Sequence, residues 1–320
     1  MLDSFLISLR CILPIVALIL LGFCLKRFHF VTDAGGEVLD RLSFRLLLPA
    51  MLFRSVISAD FTVDMDPKFI LLGLGISLLS FIAALLLSYL KCGPSGPTRA
   101  SMAQAILRNN CVVFGMSLIS SMYGDAATGQ FSMLLAIVIP VNNILAVVLL
   151  SVLTNNKIKP LKILKNIVTN PFVLAVAAGL LIQALGWKLP ASAETVVNHL
   201  ANAASAIALI GLGAGIHFEQ VDRKAWSNIA YGVIARLILL PVICAPVLLL
   251  SGMRDIRLIA LYVLVATPTA ESSFVMAKEM GADAKLAGHL VVFQTVFSPL
   301  TILIGFMLLS LGGFIHLGVF

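Results

Sequence analysis

Charged residues are scarce in this sequence, and their scarcity excludes most soluble folds. Only 12% of the 320 residues are Asp, Glu, Lys or Arg and 60% are hydrophobic, whereas soluble domains carry roughly 25% charged residues. The mean hydropathy is +1.06, and apolar runs of about 18 residues or more recur along the whole length. We therefore expect a multi-pass protein of the lipid bilayer without a separate soluble domain.

Sequence motifs of catalysis, metal binding and nucleotide binding are also missing. The sequence has no GxxxxGK[ST] phosphate loop and no GxSxG or HExxH arrangement, and its five cysteines are scattered without CxxC spacing. We expect no enzyme activity, no ATP-driven pump on this chain, no metal site and no cofactor. The net charge of +7 resides in short loops and not on one face, which argues against nucleic acid as a partner.

Hydropathy predicts an all-α fold of ten transmembrane helices. The longest loop, 154–169, is a predicted cytoplasmic linker between a first five-helix repeat, 1–153, and a second, 170–320. Because each half has an odd number of spans, the second half begins on the opposite side of the membrane, and the repeats are inverted. The predicted spans are 4–25, 37–58, 68–90, 99–122, 130–153, 170–187, 194–216, 228–250, 256–279 and 284–310.

Lysine and arginine predict the orientation of these spans. Basic residues accumulate in cytoplasmic loops, and one set of loops holds most of them. We therefore expect both termini to be extracytoplasmic. The richer set is Lys26, Arg27, Arg41, Lys91, Arg99, Lys157, Lys159, Lys162, Lys165, Arg223, Lys224, Lys278 and Lys285, and the opposite set is Lys68, Lys188, Arg254 and Arg257.

Polar residues interrupt two predicted spans at corresponding places in the two halves. Span 4 is interrupted by Arg108, Asn109 and Asn110, and span 9 by residues 267–271, Thr-Pro-Thr-Ala-Glu. Matching interruptions of this kind are typical of secondary transporters with inverted repeats, because unwound backbone at membrane depth must be buried or line a cavity. We expect the two breaks to meet near the membrane midplane.

The residues at the breaks are the candidate ligands of a substrate. Where a half-helix begins after each break, its exposed N–H groups favour an anion, and Arg108 adds a positive charge. We therefore predict a small anionic substrate. The predicted substrate-binding residues are Arg108, Asn109, Asn110, Thr267, Pro268 and Thr269.

Glu271 is the one acidic residue of fifteen that lies in the middle of a predicted span. A mid-bilayer charge costs about 2.5–3.5 kcal/mol on insertion scales, so it faces a cavity or a partner. Glu271 could therefore bind a coupling H⁺ or Na⁺, with Ser272 and Gln294 nearby. It could equally form an ion pair with Arg108 or Arg236 that only holds the spans together. For Gln294, hydrogen bonding between helices is the alternative to a role in ion coupling.

Three segments resemble the auxin efflux carrier (AEC) family. Residues 108–118, Arg-Asn-Asn-Cys-Val-Val-Phe-Gly-Met-Ser-Leu, followed by Tyr-Gly-Asp at 123–125, are similar to the motif of its fourth span. Residues 266–283 are similar to its ninth span, and residues 46–53 fit its second span. The similarity covers the full chain. By this resemblance, Asn110 matches the crossover asparagine of the family, and the crossover proline of span 9 is also present.

The sequence departs from the plant members of that family at three positions. Asn109 stands where plant members have proline, Ser117 replaces a proline of the fourth-span motif, and Glu271 stands where they are apolar. These departures argue against auxin as the substrate. The resemblance therefore implies a bacterial inner-membrane carrier of a mono- or dicarboxylate such as a malonate-like acid.

The resemblance also implies a fold, which bile-acid symporters and the sodium/proton antiporter NhaA share. Spans 4 and 9 would be broken helices that cross at their breaks, and transport would follow an elevator mechanism, with a homodimer as the assembly. Two alternatives to an organic-anion carrier remain open. A cation/proton antiporter usually needs two or more membrane carboxylates, and a membrane metabolite sensor that does not transport usually carries a signalling domain.

Overall fold

The computed structural model describes residues 2–57, 66–154, 169, 171–215, 223–270 and 272–315. Within those ranges the chain is α-helical with three short π-helical segments and has no strand. The all-helical class of the predicted fold is confirmed. The helices are α1 Leu2–Arg27, α2 Asp33–Leu42, α3 Leu48–Ile57, α4 Pro67–Cys92, α5 Pro97–Leu107, α6 Met116–Leu153, α7 Pro171–Ala184, α8 Ala191–Ala214, α9 Arg223–Ile234, α10 Leu240–Leu250, α11 Asp255–Ala266, α12 Ser272–Glu279 and α13 Ala284–Leu311.

The π-helical segments Ser43–Leu47, Cys111–Gly115 and Ala235–Leu239 interrupt or extend helices inside the apolar stretches. Local sequence explains several helix ends. The carboxylate of Asp66 accepts a hydrogen bond from the Lys68 N–H at 2.9 Å, which caps α4. The carboxylate of Asp283 caps α13 by accepting from Leu286 N–H at 3.0 Å.

Six helical stretches are long and apolar enough to cross a membrane. They correspond to predicted spans 3, 4, 5, 7, 8 and 10. Predicted span 9 is divided into α11 and α12, of 12 and 8 residues, and α7, of 14 residues, coincides with predicted span 6. The six stretches are Pro67–Cys92, Pro97–Tyr123, Thr128–Leu153, Ala191–Ala214, Ala225–Leu250 and Ala284–Leu311.

The predicted loop between spans 4 and 5 is wrong. The sequence predicts an interruption between residues 122 and 130, whereas α6 is helical over 38 residues from Met116 to Leu153. The intervening segment has no proline and includes Ala126 and Ala127, so nothing in it removes a backbone donor. The predicted linker 154–169 lies almost entirely outside the described residues.

Helices α1, α3, α7 and α8 pack together, and glycines set how closely they approach. A Cβ atom added to Gly22 would lie 2.0 Å from the carbonyl oxygen of Ile210, and one added to Gly213 would lie 1.9 Å from that of Ile19. The backbones of α1 and α8 therefore touch directly. The remaining long helices, α4–α6 and α9–α13, pack around the interrupted segments.

The interrupted helices lie in the interior of the protein. All residues of α5 from Ala100 to Leu107 are buried, as are all residues of α11 from Leu258 to Ala266. A helix that is buried all round is apolar all round, and α11 fits this rule. Both helices end where the polar breaks begin, so the fold delivers the two breaks to its centre.

Candidate functional site

The two breaks are in direct contact. The backbone N–H of Asn110 donates a hydrogen bond to the carbonyl oxygen of Pro268 at 2.8 Å. The Asn109 side chain extends the contact, because its Nδ2 donates to the carbonyl oxygen of Leu264 at 3.1 Å. Asn110 and Pro268 therefore join one break to the other, and Asn109 joins the first break to the end of α11.

Different residues interrupt the two helices. In the second break, Thr267 precedes Pro268. A proline disfavours the helical conformation of the residue before it, and it has no backbone N–H to donate. The first break has no proline. Its two asparagines have low helix propensity, and the Asn109 side chain binds a carbonyl oxygen of α11. Both helices end in the same extended conformation, with φ −72° and ψ 145° at Arg108 and φ −70° and ψ 151° at Thr267.

The second break is tied to the surrounding helices through Gln294, which is fully buried. The backbone N–H of Thr269 donates to Gln294 Oε1 at 3.0 Å, and Gln294 Nε2 donates to the carbonyl oxygen of Gly232 at 3.1 Å. Both ends of this amide are thus engaged with backbone. Gln294 therefore links helices by hydrogen bonds, and a role in ion coupling stays a prediction.

The threonine hydroxyls of the second break are buried and partnered. Thr267 Oγ1 donates to the carbonyl oxygen of Val263 at 2.9 Å and lies 3.5 Å from the Cys111 sulfur. Thr269 Oγ1 lies 3.2 Å from the hydroxyl oxygen of Ser273. These hydroxyls are therefore engaged with neighbouring protein groups.

Asn110 differs from the threonines because part of its side chain is unused. The residue is 4% exposed, and its Nδ2 has no hydrogen-bond partner among the described residues. Gln104, one turn before the first break, is completely buried, and both polar atoms of its amide likewise lack a partner there. Buried polar groups are nearly always hydrogen-bonded, so these amides are available to a ligand or to water. Gln104 was not among the residues predicted from the sequence, although a lone amide in an otherwise apolar and small-residue helix was a usable signal.

Arg108 reaches from the first break to the start of α12. Its Nη2 donates to the hydroxyl of Ser272 at 2.8 Å, and its Nη1 contacts the sulfur of Met276. Ser272 is exposed and is the first residue of that half-helix. Arg108 therefore joins the two halves of the chain, as the matching interruptions predict. Glu271 lies outside the described residues, so its role stays a prediction.

Arg236 is the buried cation of the site. Its guanidinium is 0% exposed and lies beneath the breaks, where it donates four hydrogen bonds to backbone carbonyl groups. From the sequence, Arg236 was considered only as a possible ion-pair partner of Glu271. Its position inside a predicted span was a usable signal, but the identity of its acceptors depends on the packing of three helices.

Across the described residues there is no group of three or more His, Cys, Asp or Glu side chains that could hold a metal ion. The site is instead built from amides, hydroxyls, two arginines and the ends of broken helices. Such a site can bind a small polar or charged molecule by hydrogen bonds and helix-end charges.

The sequence is similar to transporters along most of its length. It is 27% identical over 301 residues to a Rhizobium meliloti (strain 1021) protein provisionally named a malonate transporter, a match that covers 91% of this chain and 92% of the relative. It is 26% identical over 254 residues to the uncharacterized transporter YfdV of Escherichia coli (strain K12), covering 76% of this chain and 77% of that protein. An uncharacterized transporter of Methanothermobacter thermautotrophicus is 23% identical over 303 residues, 91% of this chain and 95% of its own.

A family model described as "Membrane transport protein" matches residues 7–165 and 155–306. These matches cover nearly the whole chain, including both breaks and all the helices that surround them. The motifs at the breaks are those that resemble auxin efflux carriers. The chain therefore belongs to the membrane transport protein family, that of the auxin efflux carriers.

Proposed function

We propose that this protein is a secondary transporter that moves a small organic anion across the bacterial inner membrane through the contact between its two breaks. The observation that carries the proposal is the hydrogen bond from Asn110 N–H to the Pro268 carbonyl oxygen at 2.8 Å. This hydrogen bond joins two interrupted helices, and the chain that contains them belongs to a family of membrane transporters. Interrupted helices that meet at a repeat interface form the substrate site in many transporter folds.

In this proposal the chain forms ten spans in two inverted five-helix repeats, with an NhaA-like fold. The broken crossing helices are span 4, which begins with α5, and span 9, which comprises α11 and α12. The helices that pack around the breaks would move as a transport domain. The group α1, α3, α7 and α8 would be the scaffold, whose close glycine contacts favour a rigid body. Alternating access would then follow an elevator mechanism in a homodimer.

Arg108 is the proposed anchor of the substrate carboxylate. Its guanidinium donates to Ser272 Oγ at the start of α12. A helix N-terminus carries a partial positive charge, so a cation beside it is unfavourable until an anion lies between them. A carboxylate that accepts bonds from Arg108 and from the helix N–H groups would relieve this repulsion.

The remaining contacts would come from the two breaks. The unpartnered Nδ2 of Asn110 would be a further donor, while Asn109, Thr267, Pro268 and Thr269 would shape the pocket. Because the Rhizobium relative is provisionally named for malonate, we propose a mono- or dicarboxylate of that size. A short dicarboxylate would place one carboxylate at Arg108 and the other at the amide of Asn110.

The central test measures carboxylate uptake into proteoliposomes under a pH gradient or a Na⁺ gradient, applied separately. We expect saturable uptake by the wild type. Arg108→Ala should lower uptake by roughly 10- to 150-fold, because a hydrogen bond to a charged group is worth about 1.5–3 kcal/mol. Arg41→Ala, which removes an exposed arginine paired with Glu37, is the matched control and should transport normally.

Other outcomes of this experiment would identify the alternatives. Cation-driven proton movement without any response to carboxylates would indicate a cation/proton antiporter. Saturable carboxylate binding without uptake would indicate a sensor. Uptake by Arg108→Ala at the wild-type rate would remove Arg108 from the substrate site.

Glu271 is the proposed carrier of a coupling proton, with Ser272 beside it in the sequence and Gln294 supporting the second break. Replacement by glutamine keeps the size of the side chain and removes its titration. We expect Glu271→Gln to abolish uptake driven by a pH gradient while substrate still binds, as measured by calorimetry on purified protein. Full pH-driven uptake by this variant would exclude Glu271 as the proton carrier.

A further inference from the structure

The C-terminal ends of the two broken helices meet at one buried guanidinium. Arg236 Nη1 donates to the carbonyl oxygen of Ile106 at 2.8 Å, at the end of α5. Arg236 Nε and Nη2 donate to the carbonyl oxygen of Thr267 at 2.9 and 2.7 Å, just after α11. Arg236 Nη2 also donates to the carbonyl oxygen of Leu264 at 3.2 Å.

These acceptors belong to the part of a helix that needs a donor. The last four carbonyl groups of an α-helix have no partner within it, and together they carry a partial negative charge. Two such ends converge here because both helices stop in the middle of the protein. In transporters with discontinuous helices, carbonyl groups of this kind coordinate the coupling Na⁺.

No carboxylate among the described residues accounts for the charge of Arg236. Arg41 pairs with Glu37 and Arg257 pairs with Asp66, and Arg236 is a member of neither pair. A fully buried charge is expensive unless it is compensated. The compensation visible here is the carbonyl groups of the two helix ends, which is the compensation a bound metal cation would receive.

The local backbone directs this side chain inward. Arg236 lies in the π-helical segment Ala235–Leu239, between α9 and α10. A π-helical turn inserts an extra residue into a helix and changes where the following side chains point, and such turns are frequent at functional sites. A guanidinium spreads five donors over a rigid planar fork, whereas the ammonium of lysine offers three donors from a single nitrogen.

We propose that Arg236 is a tethered cation that occupies the place of a coupling sodium ion at the ends of the two broken helices, so that transport by this protein does not use Na⁺. The inference rests on the proposed function and names its coupling. The anion is bound at the N-terminus of the half-helix that follows a break, and the C-terminal ends of the half-helices that precede the breaks are neutralised by a residue that never leaves. A proton remains available as the coupling ion.

The test replaces the tethered cation with a free one. Wild-type uptake of malonate should be equal in NaCl, KCl and choline chloride at fixed ionic strength and pH. Arg236→Ala should lower uptake at least about tenfold, because several buried carbonyl groups lose their donor. Millimolar guanidinium should restore this uptake severalfold, and Na⁺ should now stimulate it, whereas neither ion should stimulate the wild type.

Two further variants separate this role from general support of the fold. Arg236→Lys retains the charge but not the fork, and its uptake should fall between those of wild type and Arg236→Ala, without rescue by guanidinium. Arg257→Ala removes an arginine that binds a carboxylate, Asp66, at 2.9 Å. Guanidinium should raise the melting temperature of Arg236→Ala but not that of Arg257→Ala.

Several results would overturn the proposal. One is wild-type uptake, or a wild-type melting temperature, that rises with Na⁺ relative to choline. Another is a folded Arg236→Ala protein in which neither guanidinium nor Na⁺ raises uptake or the melting temperature. If Arg236→Ala folds only in the presence of guanidinium, the proposal is supported. If Arg236→Ala folds neither with nor without guanidinium, the response of wild-type uptake to Na⁺ tests the proposal instead.

The failure of this inference can be told apart from failure of the proposed function. A wild-type protein that moves no carboxylate under any gradient would refute the proposed anion transport. The melting temperatures of wild type and Arg236→Ala with Na⁺ and guanidinium would still show which cation the helix ends accept.

Discussion

The two broken helices reach one backbone geometry with different residues. Arg108 and Thr267 have nearly the same φ and ψ angles, yet asparagines follow the first and a proline follows the second. Proline enforces the extended conformation by sterics alone, whereas asparagine only permits it and relies on its partners. Both halves therefore need an extended residue at the break so that the breaks can meet. The first half reaches this conformation with asparagines and the second with a proline.

The two breaks also differ in the hydrogen bonds that hold them. The Asn109 amide donates to the Leu264 carbonyl oxygen, which also accepts a bond from Arg236. By contrast, the Thr269 N–H is buried and donates to Gln294. The Leu264 carbonyl oxygen therefore has two donors, whereas the Thr269 N–H has Gln294 as its acceptor.

The largest difference should appear when each supporting amide is replaced by leucine. Gln294→Leu leaves the buried Thr269 N–H without its acceptor and should lower the free energy of unfolding by about 1–3 kcal/mol. Asn109→Leu, the matched variant, should lower it by less than about 1 kcal/mol, since Arg236 still serves the Leu264 carbonyl group. Denaturation of the purified proteins in detergent measures both, and equal losses would contradict the asymmetry.

A smaller effect is expected when the first break is made to resemble the second. Arg108 already has the extended conformation that a following proline requires, so Asn109→Pro should change the free energy of unfolding by no more than about 1 kcal/mol. Met102→Pro, in the middle of α5, is the control and should destabilise by about 3 kcal/mol or more. A loss at Asn109→Pro as large as that of the control would show that asparagine is required at this break.

The helical class of the protein could be predicted because hydropathy is a local property. A polar residue within an apolar run is visible in the sequence, which is why Arg108, Asn110 and Thr267 could be selected from the sequence alone. The continuity of α6 was not predicted, because a glycine within a helix only weakens it and does not remove a backbone donor. The ten-span inverted topology and the role of Glu271 stay predictions.

The acceptors of buried donors were beyond sequence reasoning. The sequence marks Gln294 as a buried amide but does not indicate that it binds the backbone at Thr269 and Gly232. The bonds of Arg236 to the ends of α5 and α11 could not be foreseen from the sequence, and its pairing with Glu271 stays a prediction. Each of these bonds joins residues far apart in the chain, and nothing in the spacing of the residues specifies which helix will lie opposite.

The amino-acid sequence was sufficient to specify a helical membrane protein with two interrupted spans, since the scarcity of charge and the position of polar residues act locally on helix formation and membrane insertion. Tertiary packing was needed to specify that Asn110 meets Pro268, that α1 and α8 touch through Gly22 and Gly213, and that one arginine serves both broken helices. A buried donor must find an acceptor, but packing alone selects which acceptor it finds.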